Sequence, residues 1–222
     1  MAKKRAQALA PSRTRPIEPT TTAPVAQQRG PSWPTNVRYL TDYEFDSHVP
    51  TDVRRSVLGD SPMVPPRVIS KSAPPPISGN VVVRFLEDPT HPAYPYRGLF
   101  AAKPLKPGTH ILDYIGVVYA NSSYSATSDY VLTLSRDACV DAEAAGNEAR
   151  FINDYRGIPS RANGAGGANG RMTLGPNAEF RERVDAHGVL RMGVYVLAKP
   201  AIGIRKGEEI CVSYGKGWWR ER

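Results

Sequence analysis

Arg150-Phe151-Ile152-Asn153-Asp154-Tyr155, read together with Gly207-Glu208-Glu209-Ile210-Cys211-Val212-Ser213-Tyr214-Gly215, is the pair of runs whose reading decides the fold. The first sets an aromatic beside an arginine and ends in a short polar turn. The second is a charged glycine turn that enters a β-branched strand and stops at Tyr-Gly. Upstream, Glu143 to Ile152 reads as a short helical turn running into the first run. Ahead of the second run, Ala178–Val184 and Leu190–Ala198 alternate like paired strands joined by Asp185-Ala186-His187-Gly188 as a hairpin turn.

Farther out, Val81–Phe85, Tyr96–Ala102, Ile111–Val118, Asp129–Leu134 and Ala138–Ala142 are short β-rich runs separated by Gly and Pro turns. With no helical segments alternating between them, they predict small antiparallel sheets and not a βαβ fold. Gly98, in Arg97-Gly98-Leu99, carries no Cβ and lets the backbone approach a ligand closely; a simple bend is the other reading.

Composition divides the chain. Of 21 prolines in 222 residues, 13 precede residue 80, in sequence with little apolar periodicity. Residues 1–79 are therefore expected to be a mostly disordered Pro-rich tail, since they bury too little apolar surface to offset chain entropy. Within it, residues 33–60 mix aromatics with charges and read either as short helices docking on the domain or as a motif that folds on a partner. The remaining residues suffice for one domain with a core of its own.

The net charge of +8 divides as +5 before residue 80 (11 basic, 6 acidic) and +3 after it (18 basic, 15 acidic). Lys3-Lys4-Arg5 with Arg13, Arg15 and Arg29 suits nuclear import or a loose contact of the tail with nucleic acid; a solvated tail is the competing reading. No apolar run is long enough to span a membrane, and the N-terminus lacks the apolar core of a secretory signal, so an intracellular site is expected. Cys139 and Cys211 are too few for a structural zinc site and read as buried small hydrophobes, and no metal is expected. The glycine-rich stretch Asn163–Gly170 lacks the Lys-Ser/Thr of a phosphate-binding loop and reads as a mobile surface loop within an insert at 156–175.

Taken in order, Arg97-Gly98-Leu99-Phe100-Ala101, Gly146-Asn147-Glu148-Ala149-Arg150-Phe151-Ile152-Asn153 and Gly207-Glu208-Glu209 through Tyr214-Gly215 resemble the signature of SET-domain protein lysine methyltransferases. The resemblance covers about residues 80–219. It implies the mostly-β SET (β-clip) fold, with small curved antiparallel sheets around a C-terminal knot-like substructure. It also implies S-adenosylmethionine as cofactor and a lysine of a protein substrate as methyl acceptor.

Carried over position by position, the resemblance makes Tyr214 the catalytic residue. Arg97, Gly98, Leu99, Tyr130, Arg150, Phe151, Asn153, Asp154, Tyr214 and Trp218 become the cofactor-binding set, and Tyr130, Phe180 and Val212 the wall of the lysine channel. Lacking a hydroxyl, Phe180 would favour products beyond monomethyl-lysine. The family's Asn-His is Asn153-Asp154 here, and the 156–175 insert is longer than in most relatives.

Histone tails are the leading substrate class for a basic, nuclear chain, with cytoplasm as a second location and non-histone proteins as competitors. The expected state is a monomer with no membrane association. Two other readings are a SET module that binds cofactor or peptide without turnover, motivated by Asp154 and the insert, and a nucleic-acid-binding protein. The mildly basic folded part does not favour the latter.

Overall fold

The computed structural model describes residues 33–59, 79–125, 127–158 and 175–215. Before the first expected strand, the chain forms β1 (Arg38–Tyr39), β2 (Glu44–Phe45) and helix α1 (Thr51–Leu58). There follow β3 (Val81–Phe85), β4 (Arg97–Ala101), β5 (His110–Asp113), β6 (Val117–Ala120), β7 (Val131–Thr133) and β8 (Ala138–Asp141). After these come β9 (Ala145–Gly146), a 3-10 turn over Glu148–Phe151, β10 (Asn153–Asp154), β11 (Ala178–Val184), β12 (Leu190–Val196) and β13 (Cys211–Val212).

The strands make small sheets, as the turn-punctuated sequence predicts. β3 pairs with β4, β11–β12–β5 form a three-stranded sheet, and β2–β6–β8–β7 a four-stranded one. The β11–β12 hairpin keeps its expected register, from Ala178↔Val196 to Val184↔Leu190. Its turn is closed by Asp185, whose Oδ1 accepts the amides of His187 (2.8 Å) and Val189 (3.0 Å), and Gly188 supplies the positive φ of 80°.

Two departures from the sequence reading matter for the site. The run read as one strand over Ile111–Val118 is two strands, broken at Tyr114-Ile115-Gly116, so that β5 joins β12 while β6 joins β8 and β2. Gly116 makes the crossing: a Cβ there would stand 2.4 Å from the Asp141 carbonyl oxygen. The sheets are also not purely antiparallel, because the two-residue pairings β1–β9, β2–β6 and β10–β13 run parallel.

The tail boundary near residue 79 requires correction for residues 33–59, which are built into the body. In place of docking helices alone, they supply two strands to the sheets and one helix. Val53 and Val57, four apart on α1, are both buried in the main core, and Gly59 ends the helix at φ 64°, its amide donating to the Arg55 carbonyl at 2.8 Å. Apolar contact is what fixes this segment in place. The Trp33 ring meets Phe151 edge-on at 5.4 Å, and Tyr43 packs against the core while its hydroxyl accepts the Met192 amide at 3.2 Å.

The other disorder expectations, residues 1–32, 60–78 and 159–174 of the glycine-rich insert, lie outside the described residues. No helix among the described residues is long and apolar enough to cross a membrane.

Candidate active site

The site grows from the parallel pairing of β10 with β13. Asn153 lies against Cys211 and Asp154 against Val212, so the turn that follows the arginine–phenylalanine signature sits beside the strand leading into Tyr214. Tyr214 is held at both ends by that signature. Its amide donates to Asp154 Oδ2 and its hydroxyl to the Ile152 carbonyl, each at 2.6 Å. Burial, aided by the nearby Tyr114 hydroxyl and the Asp154 carboxylate, raises the Tyr214 pKa well above its ordinary value. The hydroxyl therefore stays protonated at neutral pH and serves as a hydrogen-bonding group, not as a base.

Asp154, where a histidine was the pattern, accepts three hydrogen bonds. Besides the Tyr214 amide, it takes the Arg156 amide (2.8 Å) and Arg156 Nη1 (2.8 Å). Arg156 reaches on to Ser213 Oγ at 3.3 Å, so the first residue of the insert braces the Tyr214 strand.

Around Tyr214 stand aromatic side chains from other segments. Tyr114, at the break after β5, donates its hydroxyl to the Tyr130 carbonyl at 2.8 Å and meets the Phe180 ring edge-on at 5.8 Å. Arg150 lies 4.2 Å above the Tyr130 ring and donates through Nε to the Ala142 carbonyl (2.8 Å) and through Nη2 to the Glu143 carbonyl (3.1 Å). Arg97, at the start of β4, stacks 4.3 Å over Phe85. Burial, and then the neighbouring Arg150 charge, lower the Arg97 pKa. The Arg97 Nε is buried without a hydrogen-bond partner among the described residues.

The candidate residues thus divide. Tyr214, Asp154, Asn153, Arg150, Tyr130, Phe180 and the Arg97-Gly98 backbone converge. Leu99 and Val212 are buried in the apolar core, at 0% and 1% exposure. The Phe151 ring packs edge-on against Trp33 and under the Arg150 guanidinium. Trp218 lies outside the described residues.

Gly98 has a role that its sequence context did not show. A Cβ there would stand 2.6 Å from Glu209 Oε1, so the missing side chain makes room for a carboxylate of the protein itself. Tyr114, His91 and Glu209 went unremarked as site residues. Tyr114 carries a local signal, the Tyr-x-Gly that ends a strand run. His91 carries none, since its partner Glu209 is far away in sequence.

A model of the SET domain matches residues 96–215, more than half of the chain, over the region that holds this arrangement. The chain belongs to the SET domain family. Members of this family are generally protein lysine methyltransferases. No curated protein matches the chain at a significant level.

Among solved structures, the SET domain resembles a humanized mutant of the Chaetomium thermophilum polycomb repressive complex 2 bound to an inhibitor, at 21% identity and TM-score 0.42 over 61% of this chain and 15% of the other. It also resembles an active polycomb repressive complex 2 in the basal state, with the same identity, TM-score and coverage. KRYPTONITE in complex with DNA, a histone H3 peptide and SAH matches at 20% identity and TM-score 0.39, over 55% of this chain and 22% of that one. The chain therefore spans less than a quarter of the length of these structures.

Proposed function

We propose that the chain is a protein lysine N-methyltransferase that uses S-adenosylmethionine and acts on the lysines of histone tails. The observation that carries this reading is Tyr214, a buried tyrosine anchored at its amide and its hydroxyl, with Tyr114 and Tyr130 close by.

The cofactor's contribution, when bound, is an electrophilic methyl on a sulfonium. The residues present fit such a group. Arg97 and Arg150 are two neighbouring guanidiniums with no carboxylate partner among the described residues, and a buried unpaired Arg97 Nε is where a ligand carboxylate belongs. Arg97, Gly98 and Asn153 would hold its amino-acid end.

A free lysine amine has a pKa of about 10.4 and is almost wholly protonated at neutral pH, a form that cannot attack. The rings of Tyr114, Tyr130 and Phe180 desolvate the ammonium and favour the neutral amine, with the proton leaving to solvent. The Tyr214 hydroxyl, fixed by Ile152 and unable to ionise, orients the amine in line with the methyl, and positioning of this kind can supply much of the rate. Phe180 brings no hydroxyl to hold a water beside the amine, which favours products beyond monomethyl-lysine.

The test is transfer of labelled methyl from S-adenosylmethionine to core histones and to cell extract, run beside Tyr214→Phe. Labelled histone in the wild type, di- or trimethyl-lysine by mass spectrometry, and a loss of at least about a hundredfold in the variant with cofactor binding retained are expected. Label only on other proteins would remove the histone reading. Cofactor binding without transfer to any protein would leave a non-catalytic module. Label indifferent to the substitution would place the chemistry elsewhere.

A further inference from the structure

We infer that His91 and Glu209 are positioning residues that fix which end of the Asn153 amide faces the cofactor, so that the site reads the cofactor's α-ammonium group through the Asn153 carbonyl oxygen. This rests on the cofactor reading above.

The three residues come from three segments: the β3–β4 connection, the turn before β13, and β10. All are secluded, with His91 7% and Asn153 9% exposed and the Glu209 side chain 12% exposed. Donors and acceptors can be assigned one by one. His91 Nδ1 accepts the Ala93 amide at 3.0 Å, which leaves the ring N–H on Nε2. That N–H donates to Glu209 Oε2 at 3.2 Å. The other oxygen, Glu209 Oε1, accepts from Asn153 Nδ2 at 2.8 Å, and the same Nδ2 donates to the Arg97 carbonyl at 3.3 Å.

A carboxylate and a backbone carbonyl have no proton to give. The NH2 end of Asn153 must face them, because the flipped amide would set its oxygen against two acceptors. Asn153 Oδ1 is thereby turned the other way, and no described residue donates to it. It is an acceptor held ready on the side away from Glu209 and the Arg97 carbonyl, and an ammonium group is the donor that bonds to it most strongly. Gly98 belongs to the same device: with a Cβ 2.6 Å from Glu209 Oε1, any larger residue would push the carboxylate off Asn153. The cofactor's amino-acid end is then read as a zwitterion, carboxylate at the arginines and ammonium at Asn153.

The test is calorimetric binding of S-adenosylhomocysteine and of its analogue lacking the α-amino group, with the full chain as wild type, Glu209→Gln, His91→Leu and His91→Gln. Wild type is expected to prefer the amine-bearing ligand by at least about tenfold, the worth of one hydrogen bond to a charged group. In Glu209→Gln the new amide can donate to the Asn153 oxygen and turn it inward. The preference then falls to within about twofold, through weaker binding of the amine-bearing ligand alone.

His91→Leu narrows the preference in the same direction, while His91→Gln, which keeps a donor to Glu209, preserves it. The His91 pair keeps the proposal open to refutation if Glu209→Gln fails to fold by circular dichroism. Equal weakening of both ligands would reduce His91 and Glu209 to structural supports, and an undiminished preference would overturn the assignment outright. A wild type that binds both ligands equally refutes the ammonium contact and leaves the cofactor reading standing. A wild type that binds neither removes the cofactor reading, and this proposal with it.

Discussion

Asp154 shows how a departure from a family pattern can be absorbed. An uncompensated buried carboxylate is costly, yet this one meets two backbone amides and the Arg156 guanidinium, so it is paired and hydrogen-bonded at once. Its removal exposes the asymmetry of such networks, since the donors left behind lose their acceptors. Asp154→Ala should cost about 2–4 kcal/mol in urea unfolding, and Asp154→Asn, which keeps one acceptor oxygen, about 1 kcal/mol. In Asp154→Ala, methyl transfer should fall more steeply than cofactor affinity, because the Tyr214 amide loses its acceptor. Equal losses in transfer and affinity would mean that Asp154 serves the cofactor and not the tyrosine.

Among the elements, the segment before the family match is the least expected. Trp33 meets Tyr39 at 5.0 Å and Phe151 at 5.4 Å, and the Tyr39 hydroxyl bonds the buried Glu148 carboxylate at 2.9 and 3.0 Å. It thus braces the 3-10 turn that carries Arg150. Trp33→Ala should lower stability by about 2 kcal/mol, below the range for a fully buried tryptophan because Trp33 is only partly buried. In a chain of this size that is a fall of several degrees in Tm. A Tm within a degree of wild type would show that the brace is idle.

Docking of this segment by short helices was one of two readings the sequence offered; its two strands were not legible. Two-residue strands such as β1 and β2 are too short to show alternation, and Pro-rich neighbours on both sides disguise them. The β11–β12 hairpin, by contrast, was legible because seven-residue strands alternate clearly around an Asp-x-x-Gly turn. The site was half legible in the same way. Tyr214, Arg150 and Asn153 stand in contiguous runs, whereas the His91–Glu209 contact joins residues 118 apart and leaves no local trace. The break at Tyr114 was hidden because Gly116 makes a close crossing inside a run that is apolar but for Asp113.

For the whole molecule, charge pairing around the β5–β12 sheet sets the response to acid. Burial opposes ionisation of Asp113, but hydrogen bonds from His110 and Arg183 outweigh it, and the pKa is lowered. Asp185 is lowered likewise, burial being outweighed by Arg191 and the Val189 and His187 amides. A carboxylate depressed in the folded state stabilises fully above its unfolded pKa of about 3.9, and the contribution disappears as pH falls through the lower folded value. Tm should therefore hold near its plateau down to about pH 5 and drop below about pH 4, less steeply in Asp113→Asn. A melt profile of Asp113→Asn parallel to that of wild type through this window would remove Asp113 from the account.

The parallel seam of β10 and β13 has a consequence in time. Asn153 and Cys211 can meet only after the intervening chain, the β11–β12 hairpin included, has been brought round, and closures over such separations are slow. During folding the hairpin and the β3–β4 pair can form from near neighbours, while Tyr214 waits for a partner on the far side of the loop. A molecule at that stage has most of its strands and no working centre. In refolding from urea, recovery of methyl transfer should lag behind recovery of the far-ultraviolet circular dichroism signal, and coincident recoveries would mean that the seam closes with the rest.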